Sequence, residues 1–246
     1  MTRRSLVILL LLVCTGCKET QKQPAAPKSA GGPRVRATVV TIRTTIQPAN
    51  QTSNQTIVIA GDKARNTGEL DVWRIFDMKA NTVTYVDDTA RTIRTEELSA
   101  ILQKRRAALA GALPPHYPRV RLARTGQQKA ILGVKADEHV MKLGAYKREL
   151  WLAEAPAIPA GLFAMMLASD GPSSPLAPMM RSVDDALTRT RAFPLLDRTE
   201  LPHGKDKLVV ERAVTAIAQR EVPAAILEPP RGYRDLTLPK KPAAAP

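Results

Sequence analysis

The chain has 246 residues, with 37 Lys and Arg against 23 Asp and Glu, for a formal net charge of +14. That length buries a core without disulfide staples, and both cysteines, Cys14 and Cys17, lie at the leading end, so a small disulfide-framed fold is excluded. Arg3 and Arg4, then Lys18, Lys22, Lys28, Arg34 and Arg36 against Glu19, then Arg231, Arg234, Lys240 and Lys241 against Asp235 carry nine of the fourteen charges, leaving +5 over 37–230. No run of five like charges falls in that middle, so nucleic acid is not expected as a partner. The terminal charges suit an anionic membrane or cell-wall surface.

In chain order, Arg3 and Arg4 form a positive head, Leu6–Val13 is an unbroken apolar run, and Thr15-Gly16 is a small-residue exit before Cys17. This is the pattern of a secretory signal. It falls short of the roughly 20 apolar residues of a permanent span. A redox reading of Cys14-x-x-Cys17 wants a strand before it and a helix after it, and neither is present. The small residues before Cys17 resemble the lipobox of bacterial lipoproteins, with Cys14 where leucine is usual. That resemblance implies acylation of Cys17 with palmitate-class chains, cleavage before it, and a lipid anchor; two or more chains hold a protein stably. Thr2-Arg3-Arg4-Ser5-Leu6 also resembles a twin-arginine export signal, but so apolar a run favours the general route. Lys18 rather than aspartate follows the cysteine, which favours the outer membrane, facing the periplasm.

The division that follows is a signal peptide over 1–16, a lipidated cysteine and disordered tether over 17–34, a folded body over 35–233 and a disordered tail over 234–246. Residues 18–34 are polar, rich in Pro, Ala and Gly, and without period. From Arg36, Val40, Ile42 and Ile46 alternate as a strand, and 47–56 reads as a polar loop. Its triplets at Asn50 and Asn54 match the glycosylation pattern but suit chance polar composition in an exported bacterial chain. Ile57-Val58-Ile59, Val72–Phe76, the run of Val83 and Tyr85, and Ile93 read as short antiparallel strands, with a turn at Lys79-Ala80-Asn81. A helix follows on Leu98, Ile101, Leu102 and Leu109, with Thr95 as its cap and Gly111 and Pro114 as its stop. Its Lys104, Arg105 and Arg106 read as a solvated face.

Val120 and Leu122 resume the alternation. A hairpin turns at Gly133, and a further strand reaches Trp151. "GLFAMMLASD" is apolar nearly all round, so it is buried if helical. Ser174 caps a further helix with Pro175 at its first position and a stripe of Leu176, Met179, Met180, Val183 and Leu187. Leu208–Ile217 closes a hairpin after the turn residues His203–Asp206. Strand runs broken by one helix and then two predict an α+β fold.

"DVWRIFDMKANTVTYVDDTARTI" together with "AILGVKADEHVMKLG", "YKRELWLAE" and "IPAGLF" resembles a family of bacterial envelope domains, domain of unknown function 4412, over roughly 37–230. Its layout is similar to the LolA/LolB lipoprotein-carrier superfamily. The resemblance implies a curved antiparallel half-barrel with helices covering its concave face and an apolar cavity between. Ala136 stands where relatives carry cysteine, so no disulfide is implied.

His116, His139 and His203 are scattered, and no nucleophile motif, phosphate loop or dinucleotide fingerprint occurs. The acidic pairs Asp87-Asp88, Asp137-Glu138 and Asp184-Asp185 are adjacent, so on strands their members point apart. No catalytic, cofactor or metal site is therefore expected, and the chain is not expected to be an enzyme. The candidate site is apolar: Trp73, Phe76, Tyr85, Trp151, Phe163, Met165, Met166, Met179 and Met180. Methionine repacks around irregular guests, and pockets for apolar ligands are lined this way. The same residues also suit an ordinary core. Two readings follow: a membrane-anchored envelope lipoprotein that binds a lipid or other apolar ligand, or a non-enzymatic module that docks an unidentified envelope protein or cell-wall polymer.

Overall fold

The computed structural model describes residues 32–67, 72–110, 121–169, 186–187, 191–204 and 206–237, without the side chains of 108–110. In chain order the elements are β1 (Arg34–Gln47), β2 (Gln51–Ala60), β3 (Lys63–Thr67), β4 (Val72–Asp77), β5 (Thr82–Asp87), β6 (Thr92–Glu97) and α1 (Leu98–Ala110). There follow β7 (Ala123–Ile131), β8 (Val134–Leu143), β9 (Tyr146–Ala153), α2 (Leu162–Ser169), β10 (Phe193–His203), β11 (Asp206–Pro223), a 3-10 turn (Ala224–Leu227) and β12 (Arg234–Asp235). Among the described residues the fold is mostly β, one open curved sheet with the two helices α1 and α2.

All twelve strands belong to that sheet, in the order β12-β6-β5-β4-β3-β2-β1-β11-β10-β9-β8-β7. Two meanders, β1–β6 and β7–β11, join where β1 lies antiparallel to β11 from Arg34↔Pro223 to Gln47↔Val209. Short turns between antiparallel neighbours are the cheapest connection, which favours this ordering. At the β7–β8 turn Leu132 (φ 51°) and Gly133 (φ 77°) are both left-handed, the geometry of a two-residue primed hairpin.

Period two decides which side chains enter the core. Val40, Ile42, Ile57, Ile59, Ala64, Phe76 and Val83 come to one face, and α1 adds Ile101 while α2 adds Leu162, Met165 and Ala168. Each fully buried large aliphatic or aromatic side chain contributes about 1.5–3 kcal/mol. On β9 and β10, Trp151, Ala153, Phe193 and Leu195 extend this main cluster, and a bulge between Pro194 and Leu196 adjusts the register of β10 on β9. Leu150 and Leu152, pointing the other way, join Met141 and Leu187 in a second cluster.

The opposite face of the first meander is covered by the end of the chain. Leu227 is buried against Ala37 and Val58, and Arg65 donates to the Ile226 carbonyl at 3.3 Å. Lys63 pairs with Glu228 at 2.6 Å, and Tyr233 packs beside Trp73, Ile75, Val86 and Ile93. β12 then runs parallel to β6, Arg234↔Thr92 and Asp235↔Ile93. Residues 224–237 thus form a strap from β1 across to the β6 edge.

Several sequence expectations change. Residues 51–56, expected in a loop, are the first half of β2, because they pair with Ile46–Thr41 of β1. Thr95 does not cap α1: it lies within β6, its hydroxyl 2.9 Å from that of Thr84. The first N–H of α1, on Leu98, is satisfied instead by the Asn81 carbonyl at 2.8 Å. Residues 234–237 of the expected tail are held on β6, because Leu236 N–H donates to Ile93 and Thr95 N–H to Thr237 Oγ1. The second meander's first strand starts at Ala123, after Leu122. The helix expected after Ser174 lies outside the described residues except for Ala186 and Leu187, which are helical, as do Cys17 and the segments 1–31 and 238–246.

Candidate functional site

The face of the sheet that carries the main cluster is apolar from β1 to β5 and again over β9 and β10. α2 supplies the adaptable side of this layer. Met165 is buried, Met166 and Phe163 are half-buried against the same cluster, and Phe163 meets Phe193 edge-on at 5.9 Å between centroids. T-shaped contact of this kind suits the ring quadrupoles.

The expected site residues divide three ways. Phe76, Trp151 and Met165 are buried in the main cluster, and Tyr85, Phe163 and Met166 pack against it. Trp73 is not among them: three residues before Phe76 on one strand, it faces the other way and joins Ile75 and Val86 under the strap. There its Nε1 donates to Asp88 at 3.0 Å, and the Arg65 guanidinium stacks 3.7 Å above its ring. Burial holds the Arg65 pKa below the usual arginine range, against the opposing pull of Asp88. Met179 and Met180 lie outside the described residues.

Polar groups ring the apolar layer. Trp151 Nε1 donates to Glu149 at 2.8 Å, and Lys129 Nζ sits 3.9 Å over the Trp151 ring. Burial works against ionisation of Glu149, but hydrogen bonds from Trp151 and Lys147 outweigh it and hold its pKa below the ordinary value. Tyr85 lies between two arginines, Arg94 at 4.9 Å and Arg74 at 5.9 Å from its ring. Arg74 Nη1 donates to Ser169 Oγ at 2.9 Å, which ties β4 to the end of α2.

The sequence reading missed Asn66. It sits on the short, polar β3, two residues after the fully buried Ala64 and therefore on the same face. Its register partners are Ile57 on β2 and Arg74 on β4. Alternation of Ala64 and Asn66 was the available signal, but five residues are a short run from which to read a period.

The basic residues of α1 are partly used within the fold. Lys104 pairs with Glu96 at 2.7 Å, and Arg105 donates to the Leu167 carbonyl of α2. The acidic neighbours Asp137 and Glu138 do point apart: Asp137 accepts from Arg124 and Gln128, Glu138 from Thr125. The first two contacts hold the Asp137 pKa below the carboxylate norm. His139 Nδ1 is 3.2 Å from the Asp137 carbonyl, His203 is exposed, and His116 is outside the described residues. Among the described residues no three His, Cys, Asp or Glu gather as a metal set, and no helix is long and apolar enough to cross a membrane.

No protein-family model and no curated protein matches the chain. Among solved structures, PNGF-II is similar in two crystal forms, with TM-scores of 0.45 and 0.44 at 11% identity over 83% of this chain. This chain spans only about a third of that protein, 31% and 32% of its length in the two forms. A LolA superfamily protein from Nitrosomonas europaea is a weaker neighbour, with a TM-score of 0.27 at 10% identity, over 80% of this chain and 90% of that one. Similarity at this level names neither a ligand nor an activity.

Proposed function

We propose that this chain is a membrane-anchored lipoprotein of the cell envelope that binds a lipid or another apolar molecule. In this reading Cys17 carries the acyl anchor at the outer membrane, and the tether expected over 18–34 ends one residue earlier, because Arg34 opens β1. The curved sheet acts as a half-barrel, and α1 and α2 cover its concave side. The observation that carries the reading is the meeting of the sheet's main apolar cluster with Phe163, Met165 and Met166 of α2. Flexible thioethers and a half-buried ring can shift to admit an acyl chain without breaking backbone hydrogen bonds. Burial of apolar surface drives such binding, so no cofactor and no covalent chemistry is required.

Two measurements test this. Cys17→Ser should release the chain from the membrane fraction of its host, whereas the unaltered chain stays with the phospholipid. Uptake of a fluorescent fatty acid should saturate and should fall when Met166 is replaced by Trp, which fills the layer. A serine variant that still pellets entirely with phospholipid, or an absence of uptake, contradicts the respective half of the proposal.

A further inference from the structure

Asn66 is a polar side chain in the wrong place for an ordinary core. It is 6% exposed, and it lies on the apolar face between Ile57, which is fully buried, and Arg74. Among the described residues nothing donates a hydrogen bond to its Oδ1. A buried carbonyl oxygen left this way costs stability, on the order of the desolvation of the group. A Leu or Val at this position would pack against Ile57 without that cost. Strand β3 does not need the amide: its backbone already pairs with β2 and β4.

We infer that Asn66 is the polar recognition point of the apolar site and receives a hydrogen bond from the head of an amphipathic ligand. The inference rests on the apolar-ligand reading above and sharpens it to a ligand class. Oδ1 is an acceptor, so the head must present a donor. An ionised carboxylate has none. An ammonium head has donors, but Arg74, the direct cross-strand neighbour, already sets a cation on this face. An uncharged hydroxyl or amide N–H remains. Ser169, 9% exposed and hydrogen-bonded to Arg74, places the end of α2 beside the same spot and narrows it further. The favoured ligand is therefore an acyl chain with a neutral hydroxyl-bearing or amide-bearing head, of the monoacylglycerol type, over a free fatty acid, whose carboxylate leaves Oδ1 bare.

The test uses the whole chain with 1-monoolein and methyl oleate, which share an acyl chain and differ in the donor. The unaltered chain should bind monoolein about tenfold more tightly, as expected when a buried acceptor is satisfied by one ligand and left bare by the other. Asn66→Leu should cut that preference to about twofold or less while raising the unliganded Tm by about 2–4 °C, since it removes an unsatisfied group. Asn66→Ala, which cannot overpack, should lose the preference in the same way. Asn66→Thr, which keeps an oxygen, should retain part of it. Equal binding of the two ligands by the unaltered chain overturns the inference and leaves the apolar site standing. So does a preference that survives in Asn66→Ala, or a leucine variant that is less stable or fails to fold. Binding of neither ligand overturns the inference and the apolar-ligand reading together.

Discussion

The hydroxyl of Tyr233 donates to Asp88 Oδ1 at 3.0 Å, across 145 residues of sequence, while the other oxygen of that carboxylate accepts from Trp73 Nε1. One acidic side chain therefore fastens the end of the strap to the sheet. The hydrogen bond to Asp88, with burial second, raises the pKa of Tyr233 above the ordinary tyrosine value. A group whose pKa is raised in the folded state stabilises fully below its unfolded pKa, and loses that contribution as pH rises through the folded value. The strap should therefore loosen above pH about 10. Trp73 fluorescence followed against pH should show an alkaline step in the unaltered chain that Tyr233→Phe removes. A step of equal size in both proteins places its origin elsewhere.

The strap also protects apolar surface. A chain ending after Pro223 uncovers Ala37, Val58, Trp73, Ile75 and Val86 and should aggregate or unfold early. The single change Leu227→Ala, at a buried position, should cost about 2–4 kcal/mol in equilibrium urea unfolding.

Asp197 and Arg148 form a two-pronged pair, Nε–Oδ1 at 3.0 Å and Nη2–Oδ2 at 2.8 Å, with side chains 9% and 12% exposed. Removing only the acid takes away the carboxylate that Arg148 grips with two hydrogen bonds and that Arg212 also approaches at 4.0 Å. Asp197→Ala should lose about 3–5 kcal/mol, and replacing both partners with Leu and Met should recover most of it. A double-mutant cycle by urea unfolding measures the difference. A double variant no better than the single one would show that the loss comes from packing instead.

Leu132 occupies the first position of the β7–β8 turn at φ 51° and is 49% exposed, so its side chain gains little from burial to offset the left-handed backbone. Asparagine accepts that conformation with Gly133 after it. Leu132→Asn should raise stability by about 1 kcal/mol, read as a shift of the thermal midpoint with the denaturant slope unchanged.

Much of the sheet was legible because its signals were local. Val83 and Tyr85 alternate across β5, Gly133 marks its hairpin, and Leu98, Ile101 and Leu102 keep the helical period of α1. The first half of β2 was not legible. Gln51–Thr56 is a paired ribbon exposed or half-buried on both faces, so no apolar period marks it. β12 is two exposed residues whose strand state comes wholly from β6, a partner about 140 residues away in sequence. Trp73 and Phe76 read as one aromatic patch, but a strand reverses face at every residue and an odd spacing separates them. Asn66 escaped notice for the opposite reason: nothing in "KARNT" reveals that its amide is buried, with Ile57 on one side and Arg74 on the other, until β2 and β4 are laid beside it.

The most direct test of the binding proposal is native mass spectrometry of the whole chain extracted gently from the membranes of its host. The proposal predicts, beyond the covalent mass, a releasable adduct in the mass range of a single lipid, lost on mild collisional activation and diminished in Met166→Trp. A bare chain that also fails to take up added monoolein or fatty acid would show that Phe76, Met165 and their neighbours are core and nothing more.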